Sequence, residues 1–250
     1  QWLTERAHEE GLRPVDVVLT SAQNKQAIKD LIDKIEYCRK GRDVYVVGVT
    51  NVGKSTLINA IIQEITGDKD IITTSHFPGT TLDKIEIPLA DGSHIYDTPG
   101  IIHRHQMAHY LTAKNLKYIS PKKEIKPKTY QLNPSQTLFL GGLGRFDFLQ
   151  GDKQGFTAYF DNNLKLHRTK LQGADDFYDR HAGGLLTPPS AKELANFPKL
   201  VRHEFTITSK TDLVFSGLGW VRILAKPDSP VVVAGWAPEG VGVMVRKALI

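Results

Sequence analysis

The sequence predicts an α/β chain: a doubly wound sheet built around a glycine-rich loop, followed by a separate β-rich domain. Three observations predict it. Gly48-Val-Thr-Asn-Val-Gly-Lys54-Ser55 fits the pattern GxxxxGK[ST] and lies between an apolar run and an amphipathic stretch. Strand-like and helix-like segments alternate up to about residue 120, as in sheets covered by crossover helices. Beyond that point helical signals nearly vanish, and short β-branched or aromatic runs recur between Gly and Pro turns. The 250 residues are enough for two domains, each with its own core.

Each element has its own warrant. Residues 2–10 read as the end of a helix closed by Gly11, and Val15–Leu19 as a short β-branched strand. From Asn24 to about Arg39, apolar Ala27, Ile28, Leu31, Ile32 and Ile35 fall on one helical face, ending at Gly41. Val44–Gly48 is continuously apolar, as in a strand buried on both faces. Lys54–Glu64 reads as a helix with Leu57, Ile58, Ile61 and Ile62 inward. Leu82–Leu89 and Ser93–Asp97 flank an Asp91-Gly92 turn and predict a hairpin. His105–Lys117 reads as a further amphipathic helix. These residues make a first domain over 1–120.

Residues 121–134 are rich in Lys and Pro and read as a basic linker. Over 135–250, strands are expected at Thr137–Leu140, Phe156–Phe160, Leu164–Thr169, His203–Thr208, Leu213–Phe215, Trp220–Leu224, Val231–Ala234 and Val241–Val245. Only Ala191–Phe197 reads as helical there.

Composition narrows the function classes. No apolar run approaches the roughly 18–20 residues that span a bilayer, so no membrane partner is expected. The one cysteine, Cys38, excludes an internal disulfide and favours a reducing, cytoplasmic compartment. Net charge is +5, and the excess of Lys and Arg lies entirely after residue 120. A basic half suits a polyanionic partner such as RNA, for which Lys122, Lys123, Lys126 and Lys128 are the candidate phosphate contacts. Phe146, Phe148, Phe156, Tyr159, Phe160 and Trp220 read first as core of a β domain and second as base-stacking platforms.

The chemistry resides in the first half. Glycines in the loop let the backbone amides of Thr50, Asn51, Val52, Gly53, Lys54, Ser55 and Thr56 turn toward phosphate oxygens at a helix N-terminus. Lys54 would neutralise β- and γ-phosphate oxygens, and Ser55 would ligate Mg²⁺. Asp97-Thr-Pro-Gly100 closes the predicted hairpin: its carboxylate suits Mg²⁺, and the Gly100 amide suits a γ-phosphate. Between them, Pro78-Gly-Thr-Thr81 offers a hydroxyl, preferably that of Thr81, to complete the Mg²⁺ shell while the γ-phosphate is present.

These three elements resemble the first three motifs of translation-factor-class GTPases. The base-reading NKxD motif does not follow them; instead a loop of the SA type, Thr20-Ser21-Ala22, precedes them. That order resembles circularly permuted GTPases, with the NKxD segment expected ahead of Gln1. GVTNVGKST, FPGTTLD, YDTPG and FSGLGWVRI are similar to the YqeH family of bacterial ribosome-assembly GTPases, over essentially the whole chain. The resemblance implies GTP/GDP and Mg²⁺ as cofactors, guanine contacts at Ser21 and Ala22, action on the small (30S) ribosomal subunit or its rRNA, and an RNA-contacting C-terminal domain. Asn51 resembles P-loop residues of GTPases that recruit K⁺; it also suits simple stabilisation of the turn. Ile101 stands where Ras-like enzymes carry a water-orienting Gln, which predicts slow intrinsic turnover, on the order of 10⁻⁴ s⁻¹ or below. Two functions remain open here: a slow, K⁺-assisted GTPase switch, and a nucleotide-gated RNA- or protein-binding module with negligible hydrolysis.

Overall fold

The computed structural model describes residues 1–49, 52–67, 85–89, 91–98, 105–121 and 123–249, with the side chains of residues 85 and 86 excepted. The chain divides into two compact units, Gln1–His103 and Arg104–Ile250.

The first unit contains α1 (Trp2–Glu9), α2 (Lys25–Arg39), β1 (Val44–Val46), α3 (Lys54–Thr66), β2 (Ile85–Pro88) and β3 (His94–Asp97). The sheet order is β1-β3-β2, with β1 parallel to β3 and β2 antiparallel to it, so the expected hairpin is present. Asn24 starts α2 by accepting a hydrogen bond from the Ala27 amide (3.1 Å). Its far end is fastened to the hairpin turn: Arg39 donates to Ser93 Oγ and pairs with Asp91 and Glu36. Hydrogen bonds from Ser93, then Arg39, hold the Asp91 carboxyl at about 2, well below its usual range.

The core of this unit joins Ile28, Ile58, Ile61, Ile62, Ile87, Leu89 and Ile95, placing α2 and α3 on one face of the sheet. The other face carries Tyr45, His94 and Tyr96, with the tyrosine rings stacked at 4.9 Å and Tyr45 56% exposed. A doubly wound sheet would have a second helical layer there, and no such core exists among the described residues. Val15–Leu19 also departs from expectation. It belongs to no strand, and Val15 and Leu19 are among the most exposed apolar residues. A β-branched run becomes a strand only where a neighbour completes its hydrogen-bond ladder.

The second unit is a β-sandwich. Its strands are β4 (Lys128–Leu132), β5 (Gln136–Leu140), β6 (Arg145–Gln150), β7 (Gln154–Phe160), β8 (Leu166–Lys170), β9 (Ala182–Gly183), β10 (Leu186–Ser190), β11 (Leu200–Ile207), β12 (Lys210–Phe215), β13 (Gly219–Leu224), β14 (Val231–Pro238) and β15 (Val243–Lys247). One sheet runs β11-β14-β6-β5-β8, the other β15-β12-β13-β7-β4, and both are antiparallel. Alternate residues of both sheets fill one core, in which Phe146, Phe148, Phe156 and Leu213 are fully buried. Phe160 and Tyr159 are nearly so, which assigns these aromatics to packing; Trp220 is half-buried and stacks on Tyr159 at 5.0 Å.

Three boundaries differ from expectation. Residues 105–120 belong to the β-rich unit and form no helix. Only the 3₁₀ turns Met107–Tyr110 and Leu116–Tyr118 occur; the Met107 amide and the His105 carbonyl bond to Ser216 and Gly242 in neighbouring hairpins, and Met107 is buried in the sandwich core. The supposed linker contains β4, whose residues 128–132 pair with β7. The helical stretch at 191–197 shrinks to a 3₁₀ turn at Leu194–Asn196, while α4 (Ala174–His181) was not expected. Its signal was the spacing of Ala174, Phe177 and Tyr178, which close over buried Phe139 on the outer face of β5.

Both sheets bury a carboxylate on their outer faces. Asp147 accepts from Arg145 Nε (2.7 Å) and Nη2 (2.8 Å), Trp236 Nε1 (2.7 Å) and Thr137 Oγ1. Asp212 is fully buried between Arg222 and Arg246, one on each neighbouring strand. Removing either carboxylate strands guanidinium donors. Asp147→Ala is therefore expected to destabilise the second unit by about 3–5 kcal/mol, read as a fall in urea midpoint.

Glu193 supplies a pH test. It accepts from Thr112 Oγ1, Asn115 Nδ2 and the amide and hydroxyl of Ser190, all within 2.9 Å. These bonds, chiefly from the Ser190 hydroxyl, hold its carboxyl at about 2, against 4.5 ordinarily. A depressed carboxyl stabilises the fold above its unfolded value and loses that contribution as pH falls toward the folded one. Acidification from about pH 5 to pH 2 should therefore destabilise the wild type more steeply than Glu193→Gln in urea titrations.

Candidate functional site

The site grows from two parallel strands that end side by side. β1 leads into the glycine-rich loop, and β3 ends at Asp97, aligned with Val46. Thr98 extends the pairing by one residue, its amide and hydroxyl both reaching the Val46 carbonyl (3.3 and 2.8 Å). The loop and the Asp97-Thr98 corner thus meet at the carboxyl ends of parallel strands, where open α/β sheets place ligands.

Gly53 starts α3 at φ +90°, a left-handed turn that a side chain would resist, and its carbonyl accepts the Leu57 amide (2.9 Å). No side chain caps the amides of the first turn. From that turn Lys54 reaches across to the Asp97 carboxylate and the Thr98 carbonyl. Both charged side chains are about nine-tenths buried. Ser55 and Thr56 are exposed beside them, and Val52 is 61% exposed. Burial strengthens the attraction between Lys54 and Asp97 and makes either one costly alone.

The structure therefore brings together Val52, Gly53, Lys54, Ser55, Thr56 and Asp97. Thr50, Asn51, Thr81, Gly100 and Lys122 lie outside the described residues. Thr98 was missed by the sequence reading, although its place directly after Asp97 marked it. Ser21 is exposed and Ala22 half-buried, just ahead of α2. Ala22 lines a pocket of about 340 Å³ with Lys25, Ile28, Ala60, Gln63, Glu64 and Gly67, beside the C-terminal half of α3. Gln63 is some 13 Å along the helix axis from Lys54, at about 1.5 Å per residue. Of the basic candidates, Lys123, Lys126 and Lys128 are exposed. The segment before β4 is tied down through Asn162, which bonds the Lys126 amide and the Glu124 carbonyl (2.8 and 2.9 Å). Among the described residues no helix is long and apolar enough to cross a membrane.

A phosphate-binding loop, a strand-end aspartate and a buried lysine joining them define the class: a P-loop GTPase. Comparison with known families agrees, since residues 43–133 match the family described as "50S ribosome-binding GTPase" and residues 153–249 match "YqeH-like, C-terminal". The chain is 59% identical to YqeH of Bacillus subtilis (strain 168), over 100% of this chain and 68% of that protein, and it belongs to the YqeH family. It is 30% identical to NO-associated protein 1, chloroplastic/mitochondrial, of Arabidopsis thaliana, over 89% of this chain and 46% of that protein. It is 29% identical to the tRNA modification GTPase MnmE of Anaplasma phagocytophilum (strain HZ), over 66% and 37% respectively. The chain thus spans about two thirds of the bacillary relative and less than half of the other two.

The buried pair makes one prediction independent of nucleotide. Lys54→Met leaves the Asp97 carboxylate without its counter-charge and should lower the stability of the first unit by on the order of 3 kcal/mol. The measure is its thermal midpoint without nucleotide.

Proposed function

We propose that this protein is a GTP-hydrolysing switch that acts in small-subunit ribosome assembly, in the cytoplasm, and contacts rRNA through its basic half. The observation that carries the nucleotide part is the reach of Lys54 from α3 to the Asp97-Thr98 corner. One lysine thereby shares its charge between the strand-end carboxylate and the place where loop amides would grip phosphates. Ser55 hydroxyl and Asp97 carboxylate are hard oxygen donors, a set that fits Mg²⁺. Magnesium bound there would neutralise β- and γ-phosphate charge; the chain's own residues orient the triphosphate, with Lys54 on its terminal oxygens and the α3 amides beneath.

Thr81 and Gly100 are assigned to sensing the γ-phosphate, Ser21 and Ala22 to the guanine, and Asn51 to a K⁺ that offsets transition-state charge. The reading takes the strand order as permuted; among the described residues β1 lies at one edge of the β1-β3-β2 sheet, which leaves its other side open to a further strand. The unpaired, exposed Val15–Leu19 run is a further strand-forming segment without its ladder. The ribosomal target rests on the family resemblance. The matched GTPase description names the 50S subunit, so the two subunits must be compared directly.

A second reading, a nucleotide-gated binding module with negligible hydrolysis, is favoured by Ile101, which replaces a water-orienting Gln. Single-turnover hydrolysis separates the two. Addition of 30S subunits in K⁺ should raise the rate at least about tenfold over Na⁺ without subunits. Equal rates in all conditions, or stimulation by 50S subunits alone, would exclude the small-subunit switch.

Lys54→Ala should weaken GDP binding about 10–100-fold, the range of a lost charge-assisted contact. A fluorescent-nucleotide titration reads it. For RNA, a Lys123/Lys126/Lys128→Ala triple variant should reduce the slope of log affinity against log salt by about 2, at roughly 0.7 per single-strand phosphate contact. An unchanged slope removes these lysines from the interface.

A further inference from the structure

Among the described residues, β11 and β8 are the edges of one sheet of the sandwich, and β15 and β4 the edges of the other. An edge strand carries backbone groups that can pair with another chain. Three of these edges are five residues long, and their charged side chains are basic: Lys128 on β4, Arg168 and Lys170 on β8, Arg246 and Lys247 on β15. Two copies of such a strand, laid side by side, repel. β11 differs on both counts. It runs eight residues, Leu200-Val-Arg-His-Glu-Phe-Thr-Ile207, and carries one charge of each sign two residues apart. Arg202 and Glu204 share the outer face, 2.5 Å apart and 43% and 48% exposed. Val201, on the inner face, is 38% exposed.

The ladder with β14 fixes which backbone groups of β11 point to the open edge. The Glu239 amide donates to the Lys199 carbonyl (2.9 Å), one step ahead of the first register pair, Leu200 with Pro238. In an antiparallel strand both backbone groups of a residue point the same way, and successive residues alternate. Val201, His203, Phe205 and Ile207 therefore bond β14, in an unbroken register. Pro238, which has no N–H, stands opposite Leu200, where the ladder needs none. Leu200, Arg202, Glu204 and Thr206 direct their amides and carbonyls away from the sheet.

We propose that β11 is a self-association edge, pairing antiparallel with β11 of a second copy of this chain about a two-fold axis at His203. That register opposes Arg202 to Glu204 of the second copy, and Leu200 to Thr206, in both directions. All four outward residues then find backbone partners, and both charges find opposite ones. Centring one residue earlier sets Arg202 against Arg202, and one residue later sets Glu204 against Glu204. Charge thus selects a single register and disfavours strands of other sequence. On the inner face Val201 meets Phe205 of the second copy, an apolar cross-strand pair that covers the exposed valine. The interface is isologous and closes at two copies. It is also small, so the dimer is weak, with a dissociation constant on the order of 10–100 μM. No nucleotide is needed, and the GTPase reading neither supports nor requires it.

The test is sedimentation equilibrium of the intact chain without nucleotide, over a range of chain concentration. Arg202→Glu and Glu204→Arg, each with the thermal midpoint of the wild type, should weaken association at least about tenfold, because like charges then face each other twice. The double exchange R202E/E204R should restore it to within about threefold. An equimolar mixture of the two single variants should also dimerise, since one presents only acidic groups at the edge and the other only basic ones. Amide hydrogen exchange checks the backbone without any substitution: the Arg202 and Glu204 amides should slow at least about fivefold from dilute to concentrated chain, while the His203 amide, bonded to β14, stays unchanged. A chain that remains monomeric up to about 500 μM overturns the proposal. So does a dimer indifferent to both single substitutions, whose contact lies elsewhere, and a double exchange that fails to restore association overturns the register.

Discussion

The contact from Lys54 to Asp97 and Thr98 is the constraint on which the first unit's site depends. It joins the first turn of α3 to the end of β3, elements more than 40 residues apart in sequence. Both partners are largely withdrawn from water, so neither charge is tolerable without the other. The parallel pairing of β1 with β3 makes that possible, because only parallel neighbours bring two carboxyl ends to one edge. The glycine-rich loop and the Asp97 carboxylate are thus positioned by a single register.

The β-rich unit solves a different problem. Its inner faces are apolar and interdigitate, as in any sandwich. Its outer faces are partly sealed, and carboxylates there are buried beside arginines. Asp147 is surrounded by four donors, and Asp212 lies between two arginines that also stack on Tyr159 and Trp220. The set around Asp147 is tied by hydrogen bonds to two neighbouring strands, so it fixes strand register more strictly than apolar contacts do. The precision matters because the two hairpins that hold residues 105–111 are corners of this same framework.

The seating of residues 105–111 in the sandwich also explains why the unit boundary falls at Arg104. Chain composition changes at the Lys- and Pro-rich stretch after residue 120, but folding units follow hydrogen bonds and burial. Met107 is sequestered in the sandwich core, and Asn115 bonds Glu193. The 105–120 strap is therefore packed with the second unit although its apolar spacing matches a helix of the first.

The sequence alone determined what depends on neighbours along the chain. The phosphate loop was legible because Gly53, Lys54 and Ser55 must occupy a strand-to-helix turn; the α2 and α3 faces followed from 3.6-residue spacing, and the 85–97 hairpin from Asp91-Gly92. Eight strands of the sandwich were visible as β-branched and aromatic runs. Tertiary structure alone decided what depends on partners distant in sequence. Val15–Leu19 has strand propensity but no ladder. Residues 105–117 have helical spacing, yet the Met107 amide and the His105 carbonyl bond to Ser216 and Gly242. Ala22 sits beside the far half of α3. In each case local preference is worth tenths of a kcal/mol per residue, while burial of a side chain such as Met107 and pairing of buried polar groups are worth several times more.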